Sequence, residues 1–290
     1  MTLASNTTGA ELDRSGLTSF DTDGFTLDVR DGMNKLNDAY VAWNWKANGS
    51  GVSNTDGSIT STVSANVDAG FSIVSYTGTG ATTDQTVGHG LSGHAMTIIK
   101  ARGSAASGTW RCAHVDLTSN YNLALNTTSA EFDVTASTHG GVGDVSSTSN
   151  TFTLKKGTVG TNNVNESGIE YIAYNWQEIE GFSAFGSYTG NGPADGPFVY
   201  TGFRPAFVMV KNADVANSWR LWDAERPSYN VTNLYLSPDT SGAEGAINID
   251  VDFTASGFKI RNTNGSINGS GNKIIFMAFA ELPAKYSPAR

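Results

Sequence analysis

The chain contains one phrase written twice. Ser75-Tyr76-Thr77-Gly78-Thr79-Gly80 returns as Ser187-Tyr188-Thr189-Gly190-Asn191-Gly192, and a Gly-Phe-Ser triplet precedes each copy, at Gly70-Phe71-Ser72 and Gly181-Phe182-Ser183. This period is too long for a solenoid, whose repeats run to roughly 20 to 50 residues, and matches the size of a complete small domain. One domain-sized fold must therefore be built twice. The order of segments is kept: Met96-Thr97-Ile98-Ile99-Lys100 aligns with Phe207-Val208-Met209-Val210-Lys211, Trp110-Arg111 with Trp219-Arg220, and Thr151-Phe152-Thr153-Leu154 with Gly257-Phe258-Lys259-Ile260. By letter similarity, Tyr171-Ile172-Ala173-Tyr174-Asn175-Trp176 answers to Phe276-Met277-Ala278-Phe279-Ala280-Glu281.

A third, partial copy opens the chain. Thr2 to Asp13 (TLASNTTGAELD) reads almost letter for letter as Asn122 to Asp133 (NLALNTTSAEFD), and Gly24-Phe25-Thr26-Leu27 and Tyr40-Val41-Ala42-Trp43-Asn44-Trp45 follow in order. The expected organisation is the second half of a unit over 1–46, a linker with a small hairpin over 47–69, full units over 70–178 and 181–283, and a tail over 284–290. The first half of the opening unit is expected from a longer gene product or from a partner. In the linker, Asp56-Gly57 is expected to supply the positive-φ residues of a tight hairpin turn.

Charged residues make up 16% of the chain, against about 25% in an average soluble domain. With 33 glycines among 290 residues, this is the composition of many short strands joined by polar turns. The formal net charge of −9, with no run of Lys or Arg, removes the electrostatic attraction on which nucleic-acid or anionic-membrane binding relies. No apolar run is long enough to span a membrane as a helix, and no charged-then-apolar signal segment is present.

Segments such as FSIVSYTG, MTIIKARG, FVMVKN and KIIFMAFAE are short, rich in β-branched and aromatic residues, and bounded by Gly, Asn, Asp or Ser clusters. They predict an all-β chain of tandem β-sandwiches, jelly-roll or lectin-like, preceded by a half-unit, with a closed barrel as the alternative. Met33, Leu36, Tyr40 and Trp43 recur at helical spacing, but the corresponding segments carry too many Gly and Asn residues for a helix interior, so a loop followed by a strand is expected in all three copies. Tyr40 to Trp45 and Tyr171 to Trp176 are apolar on both alternating faces. A second element or another chain should cover them, and a closed homo-oligomer is the usual solution.

Few residues carry chemistry. His89, His94, His114 and His139 all lie in the first full unit, and the second unit has Thr201 and Asp223 at the sites of His89 and His114. Solvated loop histidines are the simpler reading, and a metal site is the alternative. Asp21-Thr22-Asp23-Gly24 and Asn54-Thr55-Asp56-Gly57 read as turns, because the distal bidentate Glu of a calcium loop is missing. Cys112, whose counterpart is Leu221, reads as a buried small hydrophobe. No catalytic residue, metal ligand or cofactor site is assigned, although Asp195, Asp223 and Glu225 could converge as a glycosidase pair does. Trp110 and Trp219 are read as core. Trp222 lies on the opposite strand face and precedes Arg226 and Tyr229, so these three are the candidate ligand or subunit contact: an aromatic platform beside an Arg suits a sugar ring or a neighbouring subunit, with packing inside the domain as the third reading.

The run Ser187 to Lys211 (SYTGNGPADGPFVYTGFRPAFVMVK), Asn54 to Gly80 (NTDGSITSTVSANVDAGFSIVSYTGTG), Val87 to Leu91 (VGHGL) and Ile274 to Glu281 (IIFMAFAE) resemble a repeated domain of unknown function in tail-fibre and other virion proteins of bacteriophages, especially those of marine bacteria. The resemblance implies a structural virion protein of the phage tail, made in the bacterial cytoplasm and non-enzymatic. Its loops would be displayed for host-surface recognition. It also implies a homo-oligomer, a trimer by analogy with fibres, with other virion proteins and host-surface glycan or protein as partners. A tail polysaccharide depolymerase and a purely structural spacer or capsid decoration are the rival expectations.

Overall fold

Runs of β-branched and aromatic residues pair into antiparallel sheets wherever polar turns let the chain reverse. A computed structural model of the chain describes residues 1–281 apart from 14–15, 30–31, 105–107, 139, 159–162, 228 and 247–248. The expected tail and His139 lie outside the described residues. The opening segment carries a hairpin, β1 (Leu17–Phe20) and β2 (Phe25–Leu27), and β3 (Val52–Asn54) and β4 (Ser61–Asn66) follow. The first repeat contributes β5 (Phe71–Thr77), β6 (Gln85–Gly88), β7 (Met96–Ala101), β8 (Arg111–His114), β9 (Tyr121–Ala124), β10 (Phe132–Asp133), β11 (Gly141–Val142), β12 (Thr151–Lys155) and β13 (Glu170–Trp176). The second contributes β14 (Ser183–Thr189), β15 (Phe198–Tyr200), β16 (Pro205–Asn212), β17 (Arg220–Asp223), β18 (Val251–Thr254), β19 (Gly257–Ile260), one helical turn α1 (Gly265–Asn268) and β20 (Lys273–Ala280).

The fold is all-β, of sandwich type, and among the described residues no sheet is closed. In the first repeat a large sheet, in the order β10, β9, β8, β7, β13, β5, β4, β3, faces a small sheet of β11, β12 and β6. The second repeats the plan with β17, β16, β20 and β14 over β18, β19 and β15. The order β8, β7, β13, β5 is thus matched by β17, β16, β20, β14.

The twice-written phrase has one structural job in both places. The Tyr76 hydroxyl donates to Val164 O and the Tyr188 hydroxyl to Ile267 O, each at 2.7 Å. Thr79 N–H then donates to Asn165 Oδ1 and Asn191 N–H to Asn268 Oδ1, and both asparagines are fully buried. Gly78 and Gly190 cannot carry a side chain, because a Cβ would stand 2.2 Å from Glu166 O and Gly269 O respectively.

Strand register corrects one part of the sequence alignment. Met96 pairs with Trp176, and Phe207, the counterpart of Met96, pairs with Phe279. Trp176 therefore corresponds to Phe279, not Glu281, and Tyr171 to Ile274, not Phe276. A slip of two residues leaves every side chain on its own face, so alternation could not detect it.

The expected linker is built into the first sandwich: β3 pairs with β4, and β4 pairs with β5. Asp56-Gly57 does not form a positive-φ turn, since neither residue has positive φ. Asn54 Oδ1 instead accepts from Asp56 N–H, and Gly57 is required because a Cβ would meet Thr86 O at 2.4 Å. The loop-then-strand expectation also needs amending. The third copy forms α1, whose N-cap Asn264 accepts from Ser266 N–H. In the first copy Tyr40 to Trp45 joins none of the sheets.

Three hydrophobic cores stack through the molecule. Val74, Val87, Phe152, Leu154 and Tyr171 fill the first sandwich, and Val208, Trp222, Phe253, Phe258 and Ile274 fill the second. The third core lies between the two large sheets, where Met96, Ile98, Trp110 and Trp176 meet Phe207, Trp219, Ile275 and Phe279. Strand β13 is thereby covered on both faces within a single chain, which meets the demand its two apolar faces make. Trp110 and Trp219 are core, as expected. Trp43 and Trp45 of the opening segment pack into the same shared core.

Candidate functional site

The structure separates the three residues singled out as a contact site. Trp222 points into the core of the second sandwich, fully buried, with its indole N–H donating to Ile249 O at 3.3 Å. It is no surface platform, which corrects the expectation. Its counterpart Ala113 occupies the same inward position in the first sandwich, and the difference in size hid the equivalence. Arg226 binds Asp223 at 2.7 Å and Glu244 at 2.8 Å, and its guanidinium lies 5.9 Å from the Trp43 ring centre. It is a structural cation at the shared core. Tyr229 alone is open to solvent, at 84% exposure.

Tyr229 belongs to a different surface, one the sequence reading missed. Asn230 acts as a strand partner on the edge of β18: its Nδ2 donates to Phe253 O at 2.8 Å and its Oδ1 accepts from Phe253 N–H at 2.9 Å. Arg204 donates to the same carbonyl at 3.2 Å and pairs with Glu281 at 2.8 Å. Across the small sheet, Gly257 lies between Thr254 and Tyr200, so Tyr200 stands on the opposite edge, two strand spacings or roughly 10 Å from Thr254 of β18. Tyr200 is 72% exposed, and Phe198 and Val231 are also exposed. Two open tyrosines thus mark the two edges of the three-stranded sheet, Tyr200 on β15 and Tyr229 next to Asn230 at the β18 edge, where Arg204 also binds.

The first sandwich has no counterpart to this surface. Thr86 and Gly88 stand where β15 has Phe198 and Tyr200, and the loop after β3 runs along β6: Ser58 N–H donates to Thr86 Oγ1 at 2.9 Å, and Ile59 bridges Val87. The available sequence signal was the alternation in Phe198-Val199-Tyr200, where the inward valine is kept from the first copy and the outward residues become aromatic.

The histidines are not solvated loop residues. His89, His94 and His114 are buried. His89 Nδ1 accepts from Leu91 N–H, which leaves the proton on Nε2 to donate to Ser149 O. His114 repeats the pattern, accepting from Asp116 N–H and donating to Phe276 O of the second sandwich. The His94 ring lies 4.7 Å from that of His89. Burial pushes His89 and His114 down to about 4, and burial with the neighbouring His89 pushes His94 down to about 3. All three are neutral structural groups at pH 7. Among the described residues no three His, Cys, Asp or Glu side chains are grouped to hold a metal ion.

Other reactive types are committed to structure. Lys100 and Lys211, matched in the two copies, are fully enclosed, and burial lowers both to about 8. Each ammonium donates to backbone carbonyls, Lys100 to Ala101 O and Thr8 O, Lys211 to Asn212 O and Val215 O. Burial pushes the Cys112 thiol up, away from the reactive thiolate. Asp223 is held by Arg226 and Asp195 by Lys259, so each of these carboxylates is engaged by its own cation. Clefts of 210 and 250 Å³, one lined by His114, Thr118 and Asp144 and the other by Thr62, Arg102 and Glu170, fall short of the roughly 300 Å³ at which small-molecule pockets begin.

These features define an all-β protein of two stacked sandwiches with an exposed aromatic surface at one end of the second. The chain belongs to the family described as "Domain of unknown function (DUF7483)", whose model matches residues 1–283 in a single stretch. Comparison with curated proteins gives no match. Comparison with solved structures gives none either. No helix among the described residues is long and apolar enough to cross a membrane.

Proposed function

We propose that this chain is a non-enzymatic structural protein of a phage virion, tail-fibre-like, that presents the outer end of its second sandwich to a host surface. The resemblance carried by the repeated phrases supplies the virion setting. The observation that carries the contact role is the pair of open tyrosines on the two edges of the small sheet, Tyr200 on β15 and Tyr229 next to Asn230 at the β18 edge, where Arg204 also binds. Exposed aromatic rings next to a guanidinium offer flat apolar faces and directed donors, which suits the ring faces and hydroxyls of envelope glycans better than it suits a buried small molecule. Assembly with other virion proteins, or with further copies of the chain, would raise the avidity of a weak single contact.

The test compares the intact chain with a Tyr200→Ala/Tyr229→Ala variant for binding to host cells and to purified envelope glycans. Both rings are exposed, so the thermal midpoint should hold while binding falls at least about tenfold, the loss of roughly 1.4 kcal/mol. Equal binding by both proteins would remove this surface from the account. Absence of binding by either would favour the spacer role, and release of new reducing ends from the glycan would make the protein a depolymerase.

A further inference from the structure

The two sandwiches follow one plan except along one side. In the first, residues 54–66 cross from the small sheet to the large one and close that side. Ile59 N–H donates to Thr86 O at 3.0 Å, Thr86 N–H donates to Ser58 Oγ at 2.9 Å, and Ser61 Oγ donates to Gly88 O at 3.2 Å, so the outer edge of β6 is bonded. Strand β4 then pairs antiparallel with β5, placing Thr62 opposite Ser75 and Val63 opposite Val74. Ile59 and Val63 enter the first core.

The second sandwich has no such segment. Residues 177–182 lead directly from β13 into β14 and close only its start: Ser183 N–H donates to Ile179 O at 2.9 Å, and Phe185 N–H donates to the Glu178 carboxylate at 3.1 Å. Antiparallel pairing alternates, so Ser187 and Thr189, like Phe185, turn their backbone groups away from β20. Both are exposed, and among the described residues nothing bonds their outward N–H and C=O groups. Phe198 N–H and O, the counterparts of the Thr86 groups, and Tyr200 O, the counterpart of Gly88 O, are equally without a partner.

Burial differs at the same places. Ser72 and Val87 are 0% exposed, whereas their counterparts Ala184 and Val199 are 9% and 6% exposed. Val74 and Tyr76 are buried, whereas Gly186 and Tyr188 are half-buried. Ala184, Val199 and Phe276, which packs against Gly186, are the most exposed members of the second core. That core is thus thinnest along the side that residues 54–66 cover in the first sandwich.

We propose that the open side of the second sandwich, along β14 and β15, seats an extended segment of another protein, which crosses between the sheets as residues 58–64 do in the first and adds to β14 as an antiparallel strand. The first sandwich gives the chemistry of the occupant. It carries apolar side chains four residues apart, as at Ile59 and Val63, to enter between the sheets, and a polar residue to lie outward opposite Ser187, as Thr62 lies opposite Ser75. Its second apolar side chain meets the Phe276 ring, which stands 2.9 Å from where a Cβ on Gly186 would be and so fills the space of Val74. Glu178 sets the limit of the seat by holding Phe185 N–H. The chain's own segment of this kind is committed, because Ile59 and Val63 are buried where they are and moving them would open one seat to close another.

The seat does not rest on the host-surface reading. It uses backbone groups in the plane of the small sheet, whereas Val199 points inward and the Phe198 and Tyr200 rings stand on the outer face.

The experiment adds a capped peptide of residues 56–66 (DGSITSTVSAN) to the full chain, with no glycan present, so that this seat and the host-surface contact stand or fail separately. Amide exchange at Ser187, Thr189 and Phe198 should slow by about tenfold or more at saturating peptide, while β5, whose seat is filled, is unchanged. A peptide carrying Ile59→Asp and Val63→Asp should bind at least about tenfold more weakly. No slowing with peptide up to about 1 mM, equal binding of the two peptides, or protection confined to β5 overturns the proposal. So does sedimentation of the chain alone as a dimer with Ser187 and Thr189 already protected, which would assign the edge to a second copy.

Discussion

Tyr171 to Trp176 and Tyr40 to Trp45 differ at two of six positions and end differently. The first is the central strand of an eight-stranded sheet, bonded on both edges and covered on both faces, fully on the one with Tyr171 and Ala173 and partly at Ile172 and Tyr174. The second is extended, joins no sheet and covers only one face. Intrinsic β propensity is the same for both. The difference lies in the neighbours, since strand preference is largely the fit of a residue to a pleated surface that other strands must supply.

The broadest way to sharpen this comparison is acid. A histidine whose folded value is depressed stabilises the fold above its unfolded value, and that stabilisation is lost as the pH falls through the folded value. For His89, His94 and His114 the window runs from about 6.5 down to about 4 and 3. All the histidines of the chain lie before residue 181. Denaturant midpoints should drop over this window, and each tenfold in proton affinity is worth about 1.4 kcal/mol, so three buried rings together outweigh the substitutions below. His114→Gln should reduce the slope by about one proton; an unchanged slope would mean the ring is solvated. Below pH 6 the failure should begin in the first sandwich and at the His114 contact with Phe276 O.

Next in size is truncation of the same residue in the two settings. Tyr171→Ala removes a ring stacked 5.2 Å from Tyr76 and leaves Glu166 N–H without its acceptor. It should cost about 3 to 5 kcal/mol, while Tyr40→Ala, which removes the matching acceptor of Lys35 N–H from a half-exposed position, should cost less, about 1 kcal/mol. Urea unfolding of both variants decides it, and equal costs would break the comparison. A smaller effect separates the two faces of the opening segment. Trp45→Ala loses edge contacts with Trp176, Phe207 and Phe279 and should cost about 1 to 3 kcal/mol. Asn44→Ala, on the exposed face, should be close to neutral.

The sequence made the strands and the repeat legible because period-2 patterning and turn residues act locally. Trp110 and Trp219 could be read as core because both copies keep them. Packing of one sandwich on the other was not legible, since a repeat says that two copies exist and not which faces they share. The two apolar faces of Tyr171 to Trp176 pointed to a cover, and an oligomer was one way to provide it; the second sandwich lies there instead. At the candidate site, Tyr229 was visible as an aromatic in a proline-containing loop. Its grouping with Trp222 failed because alternation assigns a face but not which face is inward. Tyr200 and Tyr229 come to lie on the two edges of one small sheet only through the pairing of β15, β19 and β18 and the Asn230 side chain, a contact across 23 residues of chain.

The most direct measurement is amide hydrogen exchange on the full chain at neutral pH, read segment by segment. Strand β13 should exchange near the global unfolding limit at Ile172 to Trp176, and Val41 to Trp45, nearly the same sequence, should exchange orders of magnitude faster. Comparable slow exchange in both segments of a monomer would contradict the account, because among the described residues no strand pairs with Val41 to Trp45.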